Sequence, residues 1–249
     1  MNPKHQKEIS WIIRDKYHNQ INALPKEDLN RLKAGEPVAY IIGYIDFLAC
    51  RINLSTRPLI PRPETEYWLE ILLSEINKQK GKPIKCLDIF SGSGCIGIAL
   101  LKHCSNIQVD FAEKNPKFLL EIENNCLINL IAPENFSVKE SNVFSSITGQ
   151  YDFILANPPY VPSSRRLAKS VAGYEPSSAL FAGSDGLLLI KKFLNEVSKY
   201  LNVGGQVWLE FDSGQKKRIE GILQGLGCVK MNFYKDQYSR WRFVVFSFT

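Results

Sequence analysis

Two methionines and three histidines are all that the 249-residue chain holds of these types, and the histidines, at 5, 18 and 103, lie far apart. Its six cysteines, at 50, 86, 95, 104, 126 and 228, form no C-x-x-C pair. A zinc site needs clustered imidazole and thiolate ligands, and a disulfide framework needs a short, cysteine-dense chain. Neither pattern is present, so no metal is expected and the cysteines read as small hydrophobes in a reducing compartment. An apolar run of about 18 residues, the length that suggests a membrane span, is missing too. So is a charged start leading into a shorter apolar stretch, the mark of a secretory signal. A cytoplasmic protein without membrane association is the expectation. The chain also has no internal repeat and no low-complexity tract.

What is present is ordinary in bulk and uneven in charge. With 45% apolar and 22% charged residues, the chain can bury a core the size of one large domain with a small appendage. The net charge of +6 gathers in the last third, around Arg165-Arg166, Lys191-Lys192 and Lys216-Lys217-Arg218. Such a face suits an acidic or RNA-bearing partner, and it equally suits plain solvated helix surfaces.

Three segments follow from local pattern. Residues 1–34 read as a short helical segment: Ile9, Ile12 and Ile13 make an apolar stripe, and Pro25 opens a second helix with Leu29 and Leu32. Residues 35–66 read as a β-rich linker, with β-prone pieces at Val38–Ile42 and Cys50–Leu54, ending in Ile60-Pro61-Arg62-Pro63-Glu64-Thr65-Glu66. Thr65 is placed to cap the helix that follows through Leu73. Residues 67–249 form the main domain. Strands are expected at Ile84–Ile89, Ile107–Ala112, Phe136–Lys139, Tyr151–Ala156 and Gln206–Phe211. Helices are expected at Ile96–Cys104, Pro116–Leu130, Gly186–Leu201 and Gln215–Leu226. The end, Val229–Tyr234 and Arg242–Phe248, looks like two strands with no helix between them, and Gly204-Gly205-Gln206 reads as a turn into a strand. Repeated βα units imply an α/β, mostly parallel, doubly wound sheet with an antiparallel finish.

Two constellations carry chemistry. The first follows the first strand of the alternation: Asp88-Ile89-Phe90-Ser91-Gly92-Ser93-Gly94-Cys95-Ile96-Gly97. Gly92 and Gly94 let backbone approach a ligand, and the helix behind them offers free N–H groups and a positive dipole end. Glu113, 21 residues beyond Gly92, ends the next strand, where a carboxylate can accept from ribose hydroxyls. Those features fit a nicotinamide dinucleotide as well as S-adenosyl-L-methionine. Asp88 tilts the choice, because an acid there suits a cationic amino-acid cofactor better than a pyrophosphate.

The second constellation is Asn157-Pro158-Pro159-Tyr160, at the exit of the apolar strand Tyr151–Ala156. The two prolines remove donors and stiffen the chain, leaving as acceptors the Asn157 side-chain oxygen and the Pro158 carbonyl. A planar –NH2 group has two donors, and two fixed acceptors hold it in one orientation, with the Tyr160 ring to stack on. The chemistry indicated is methyl transfer to an amide or conjugated amine, driven by orientation rather than by a strong base.

Asn-Pro-Pro-Tyr is similar to motifs in amino-methylating DNA enzymes and in protein-glutamine N5-methyltransferases. Tyr40-Ile41-Ile42-Gly43, Leu59–Glu66, Tyr174-Glu175-Pro176 and Ala179–Leu187 resemble the second group, and the likeness runs from about residue 35 onward. It is strongest to the release-factor glutamine methyltransferases. The resemblance implies a Rossmann-like class I methyltransferase fold: a mostly parallel seven-stranded sheet with an antiparallel C-terminal strand. It implies S-adenosyl-L-methionine held by Phe90, Ser91, Gly92, Ser93 and Gly94 at its amino-acid end, by Glu113 at the ribose, and by Asn142 and Val143 around adenine. Asn157 through Tyr160 would hold a glutamine amide from the Gly-Gly-Gln tip of a peptide chain release factor. A monomer that makes no stable nucleic-acid complex is expected. The family often has Gly at the place of Phe90, Asp at that of Asn142, and a longer helical segment before Gly35. A ribosomal-protein glutamine and a nucleic-acid adenine are the alternative targets.

Overall fold

The computed structural model describes residues 3–78 and 81–248. The chain opens with helices α1 (Pro3–Asp15), α2 (Lys26–Lys33) and α3 (Val38–Ile42), then a hairpin of β1 (Tyr44–Phe47) and β2 (Cys50–Asn53), and α4 (Pro63–Ile76). The alternating part follows: β3 (Ile84–Ile89), α5 (Cys95–His103), β4 (Ile107–Glu113), α6 (Pro116–Ile128), β5 (Phe136–Glu140) and β6 (Tyr151–Ala156). Two short helices, α7 (Lys169–Ala172) and α8 (Ser177–Leu180), lead to α9 (Leu188–Glu196), β7 (Leu201–Glu210), α10 (Lys216–Gly225), β8 (Lys230–Lys235) and β9 (Trp241–Ser247).

The expected doubly wound sheet is present, with seven strands in the order β5-β4-β3-β6-β7-β9-β8. β3 through β7 pair in parallel, while β9 runs antiparallel to both β7 and β8. β3 and β6 bury nearly every residue, as strands covered on both faces must. One core gathers α4, α5 and the hairpin on one face, around Trp68, which stacks on Trp208 at 6.2 Å. A second core packs Ile190, Phe193, Ile219 and Leu223 of α9 and α10 against the other face. All six cysteines are unpaired, and all but Cys228 are buried.

Four local expectations are corrected. Val38–Ile42 is a helix rather than a strand: Pro37 sets its start, and Gly43, at φ 97°, closes it in the left-handed conformation. Burial of Tyr40 and Ile41 outweighs the β preference of the run. Thr65 does not cap α4, whose N-cap is Arg62 with no side-chain bond. The Gly186–Leu201 helix is shorter at both ends. Gly186 lies at φ 72°, outside helical space, and past Glu196 the chain tightens into a 3₁₀ turn. β7 already begins at Leu201, and Gly204, at φ 78°, lies within it beside a register irregularity opposite Tyr151–Phe153, so Gly204-Gly205-Gln206 belongs to a bulged strand, not a turn.

Candidate active site

The sheet register assembles the site. Ile89 pairs with Ala112 on one side and with Ala156 on the other, so the next residues of all three strands emerge side by side at the carboxyl edge. Chain order turns back at β3, and a crevice opens there in such folds. It forms a cavity of about 380 Å³, walled by Phe90, Ser91, Gly92, Ser93, Glu113, Asn142, Val143, Asn157 and Pro159 among others. Gly94, Pro158 and Tyr160 do not contribute to that wall. Gly94 sits behind it at φ 80° as the N-cap of α5.

The loop after β3 is gripped from both sides. Glu113 Oε2 accepts the Gly92 N–H at 2.9 Å and its Oε1 accepts the Asn115 N–H at 2.8 Å; burial raises its pKa above the usual value. The Lys114 backbone N–H also donates to the carboxylate, which with four lone-pair sites keeps capacity for a further donor. Asp88 stands where a side chain facing a cationic ligand was expected, yet it does not reach the cavity. It is fully buried, and its Oδ2 accepts the Gly97 N–H at 2.9 Å, fastening the start of α5, while Oδ1 has no partner. Burial pushes its carboxyl up to about 7. Gly97 has to be glycine: a Cβ there would meet the Phe111 ring and lie 2.8 Å from Val109 Cγ1. Phe90 and Val143 both hold φ near 62°, a costly left-handed conformation for side-chain-bearing residues that recurs at functional sites.

Around Asn157 the sequence reading missed a buried hub. Glu210, the last residue of β7 and 1% exposed, accepts from the Thr65 hydroxyl at 2.7 Å, the Trp68 indole N–H at 2.8 Å and the Tyr160 hydroxyl at 3.1 Å. Burial raises its pKa, and the three donors and nearby Arg242 oppose the shift. Asn157 Nδ2 donates to Thr65 Oγ1 at 3.2 Å. The Tyr160 carbonyl accepts from Gln215 Nε2 at 2.9 Å, and a Cβ on Gly186 would collide with that carbonyl. A carboxylate closing the apolar run Val207-Trp208-Leu209 at the ligand edge was the available signal for Glu210. The segments 59–66 and 174–187 also meet: Glu175 accepts from Ile60 N and Arg62 Nη2, while Leu59, Pro61, Arg62, Ser178 and Ala179 join the cavity wall.

Residues 68–172 match the family model of the methyltransferase small domain. A release factor glutamine methyltransferase of Lactococcus lactis is 34% identical over 241 residues, 95% of this chain and 87% of that protein. The chain belongs to the release factor glutamine methyltransferase family. It is an S-adenosyl-L-methionine-dependent methyltransferase. A second family member, from Streptococcus pneumoniae, is 34% identical over 88% of this chain and 78% of its own length. The fold is shared with a methyltransferase of known structure from Pyrococcus furiosus, at a TM-score of 0.59 and 18% identity, covering 89% of this chain and 98% of that one. Within this family member, no helix among the described residues is long and apolar enough to cross a membrane.

Proposed function

We propose that the protein methylates the side-chain amide nitrogen, N5, of a glutamine in peptide chain release factors. The observation that carries this reading is the open acceptor at the cavity edge. Asn157 donates through Nδ2 to Thr65, and no donor among the described residues reaches its Oδ1 or the Pro158 carbonyl. These are the two acceptors that a carboxamide –NH2 requires. The relatives' names, release factor glutamine methyltransferase, supply the substrate class.

The cavity fits the cofactor. Its volume of about 380 Å³ lies in the range of small-ligand sites. Glu113 keeps acceptor capacity for ribose hydroxyls, Phe90 to Ser93 present backbone before the N-terminus of α5 with Gly94 behind them as its N-cap, and Asn142 and Val143 offer a polar and an apolar contact for adenine. When bound, S-adenosyl-L-methionine supplies an electrophilic methyl group on its sulfonium. The protein's part is orientation: Asn157 and Pro158 hold both amide hydrogens, which turns the nitrogen face toward the cavity and fixes the encounter geometry. Acceptance of the two amide hydrogens by the Asn157 side-chain oxygen and the Pro158 carbonyl pushes N–H bonding density onto nitrogen and raises its nucleophilicity. Transfer would break the cofactor's methyl–sulfur bond, its electron pair staying on sulfur, as the N–C bond forms, and the nitrogen would release one hydrogen as a proton to solvent. The same reading makes the enzyme a cytoplasmic monomer that engages its protein substrate transiently.

Methyl incorporation into a whole release factor, its Gly-Gly-Gln Gln→Ala variant, a ribosomal-protein mixture and duplex DNA tests the substrate. Label in the wild-type factor alone is expected. Equal label in the Gln→Ala factor, or label confined to ribosomal protein or to DNA, would replace this reading.

A further inference from the structure

We infer that Glu210 and Thr65 are positioning residues which decide that Asn157 presents oxygen, and not nitrogen, to the substrate site. The inference deepens the glutamine-amide reading and rests on it for its catalytic consequence.

The argument is one of hydrogen-bond polarity. The Trp68 indole N–H can only donate, and it reaches Glu210 Oε2 at 2.8 Å. The Thr65 hydroxyl lies 2.7 Å from the same oxygen. With two donors converging on Oε2, a proton on the carboxyl would sit on Oε1, so Oε2 accepts whichever form Glu210 takes. The Thr65 hydroxyl has a single hydrogen, and it is spent on Oε2. Toward Asn157, 3.2 Å away, Thr65 can therefore only accept.

An asparagine turned the other way would set its carbonyl oxygen against the lone pairs of Thr65. Two acceptors facing each other beside a buried carboxylate is an arrangement proteins avoid, because both are left without a donor. The amide therefore settles with Nδ2 on Thr65 and Oδ1 toward the cavity. Polarity is thus transmitted from a donor-only indole, through a carboxylate and a hydroxyl, to one of the two atoms that accept from the substrate amide.

The same carboxylate holds the other end of the motif. Tyr160 donates its hydroxyl to Oε1 at 3.1 Å, while Gln215 clamps the Tyr160 carbonyl. Asn157 and Tyr160 are thereby tied to one anchor on β7, with the rigid Pro158-Pro159 pair between them. Thr65 comes from α4 and Glu210 from β7, so two distant chain segments, 145 residues apart, converge on one substrate-facing oxygen.

Thr65→Val keeps the shape of the side chain and removes the hydroxyl; Thr65→Ser keeps the hydroxyl. With a whole release factor as substrate, Thr65→Val is expected to lower kcat on the order of 10²-fold, the scale of a misplaced reacting group. KM for the factor and calorimetric affinity for S-adenosyl-L-methionine should stay near wild type, Tm should fall modestly because Glu210 loses a donor and Asn157 an acceptor, and Thr65→Ser should regain both the Tm and most of the turnover. A purely structural hydroxyl would move Tm and leave kcat of the folded enzyme alone. Wild-type kcat in Thr65→Val, or a Thr65→Ser as impaired as Thr65→Val, overturns the inference. An NMR measurement decides it without any substrate, should the wild type methylate no release factor. Nuclear Overhauser contacts between the Asn157 side-chain amide protons and the Thr65 side chain are expected in the wild type. Their absence, with the Asn157 amide protons in contact with cavity residues instead, refutes the assigned polarity.

Discussion

Arg62 and Glu175, 113 residues apart in the chain, meet in an ion pair in which Arg62 Nη2 reaches both carboxylate oxygens, at 2.6 and 2.8 Å. The pair is lopsided: the Glu175 side chain is 1% exposed and that of Arg62 is 31% exposed. Removing each partner should therefore cost differently. Arg62→Ala strands a buried carboxylate and should destabilise by about 3 kcal/mol. Glu175→Ala leaves an arginine that can turn to water, plus one unpaired Ile60 N–H, and should cost about 2 kcal/mol or less. Urea unfolding of both variants measures this, and a larger loss in Glu175→Ala would contradict the burial argument.

Asp88 gives a pH prediction with a definite sign. Its carboxyl is pushed up to about 7 by burial, from the ordinary 3.8, so between these values the folded state holds a proton that the unfolded state has lost. Stability then falls as pH rises through this window, by a few kcal/mol at most, on the order of 1.4 kcal/mol per pH unit. Asp88→Asn removes the titration and can keep the bond to the Gly97 N–H. The stability of the variant relative to wild type should rise from pH 5 to pH 8. A pH-independent difference would show that Asp88 is ionised in the folded protein at pH 5.

Glu113 acts twice, through its own lone pairs and through the loop it holds. Glu113→Ala leaves the Gly92 and Asn115 N–H groups without their acceptor, beyond losing the contact to ribose. Affinity for S-adenosyl-L-methionine should drop by about 1–3 kcal/mol, the scale of a charge-assisted bond in a buried site. Isothermal titration with the cofactor reads it directly, and an unchanged affinity would remove Glu113 from the cofactor site.

How much of this was legible depended on which forces each segment obeys. From Ile84 onward, strands, of which β3 and β6 are buried on nearly every residue, alternate with helices, and pattern alone placed every strand and the helices α5, α6, α9 and α10, though not the short α7 and α8. β2 falls on the expected β-prone piece Cys50–Leu54, but β1 and the turn between them were opaque because the turn residues, Leu48 and Ala49, both take positive φ, a geometry usually announced by Asn or Gly. Glycine spacing and the Asn157 motif pointed to the right edge of the sheet. Side-chain direction was not legible. Thr65 looked like a cap and faces Glu210, Asp88 looked like a ligand contact and fastens α5, and Tyr160 looked like a free stacking ring although its hydroxyl is tied down. Each depends on residues far away in the chain, which local pattern cannot reveal.

Asn157 and Tyr160 should separate in their effects. Asn157→Ala removes a preorganised acceptor and should lower turnover on the order of 10²–10³-fold, with cofactor affinity changed far less. Tyr160→Phe keeps the ring but takes a donor from the Glu210 hub, so a stability loss of about 1 kcal/mol should accompany any loss of rate. Steady-state rates beside thermal unfolding test both. Near-normal turnover in Asn157→Ala would end the amide-clamp mechanism.

Asn125 supplies the last prediction, because it lies outside the cavity wall yet holds one of its loops. Its Oδ1 accepts from Asn53 N at 2.8 Å, and its Nδ2 donates to Asn53 O at 3.3 Å and to Ser93 O at 3.0 Å. One turn further on, at the C-cap of α6, Asn129 bonds both backbone groups of Arg51 in the same way. The two amides thus pair with the outer edge of β2 as a neighbouring strand would, and Asn125 alone extends that pairing to the cofactor loop. Asn125→Ala and Asn129→Ala should both destabilise the fold, since each leaves part-buried backbone groups of β2 unpaired, at up to roughly 1–3 kcal/mol apiece. Only Asn125→Ala also frees Ser93, so it alone should weaken S-adenosyl-L-methionine binding in protein that remains folded. Calorimetry on the two variants, below their unfolding temperatures, makes the comparison. Equal affinities would mean that the loop is held by Glu113 and Asp88 without help from α6.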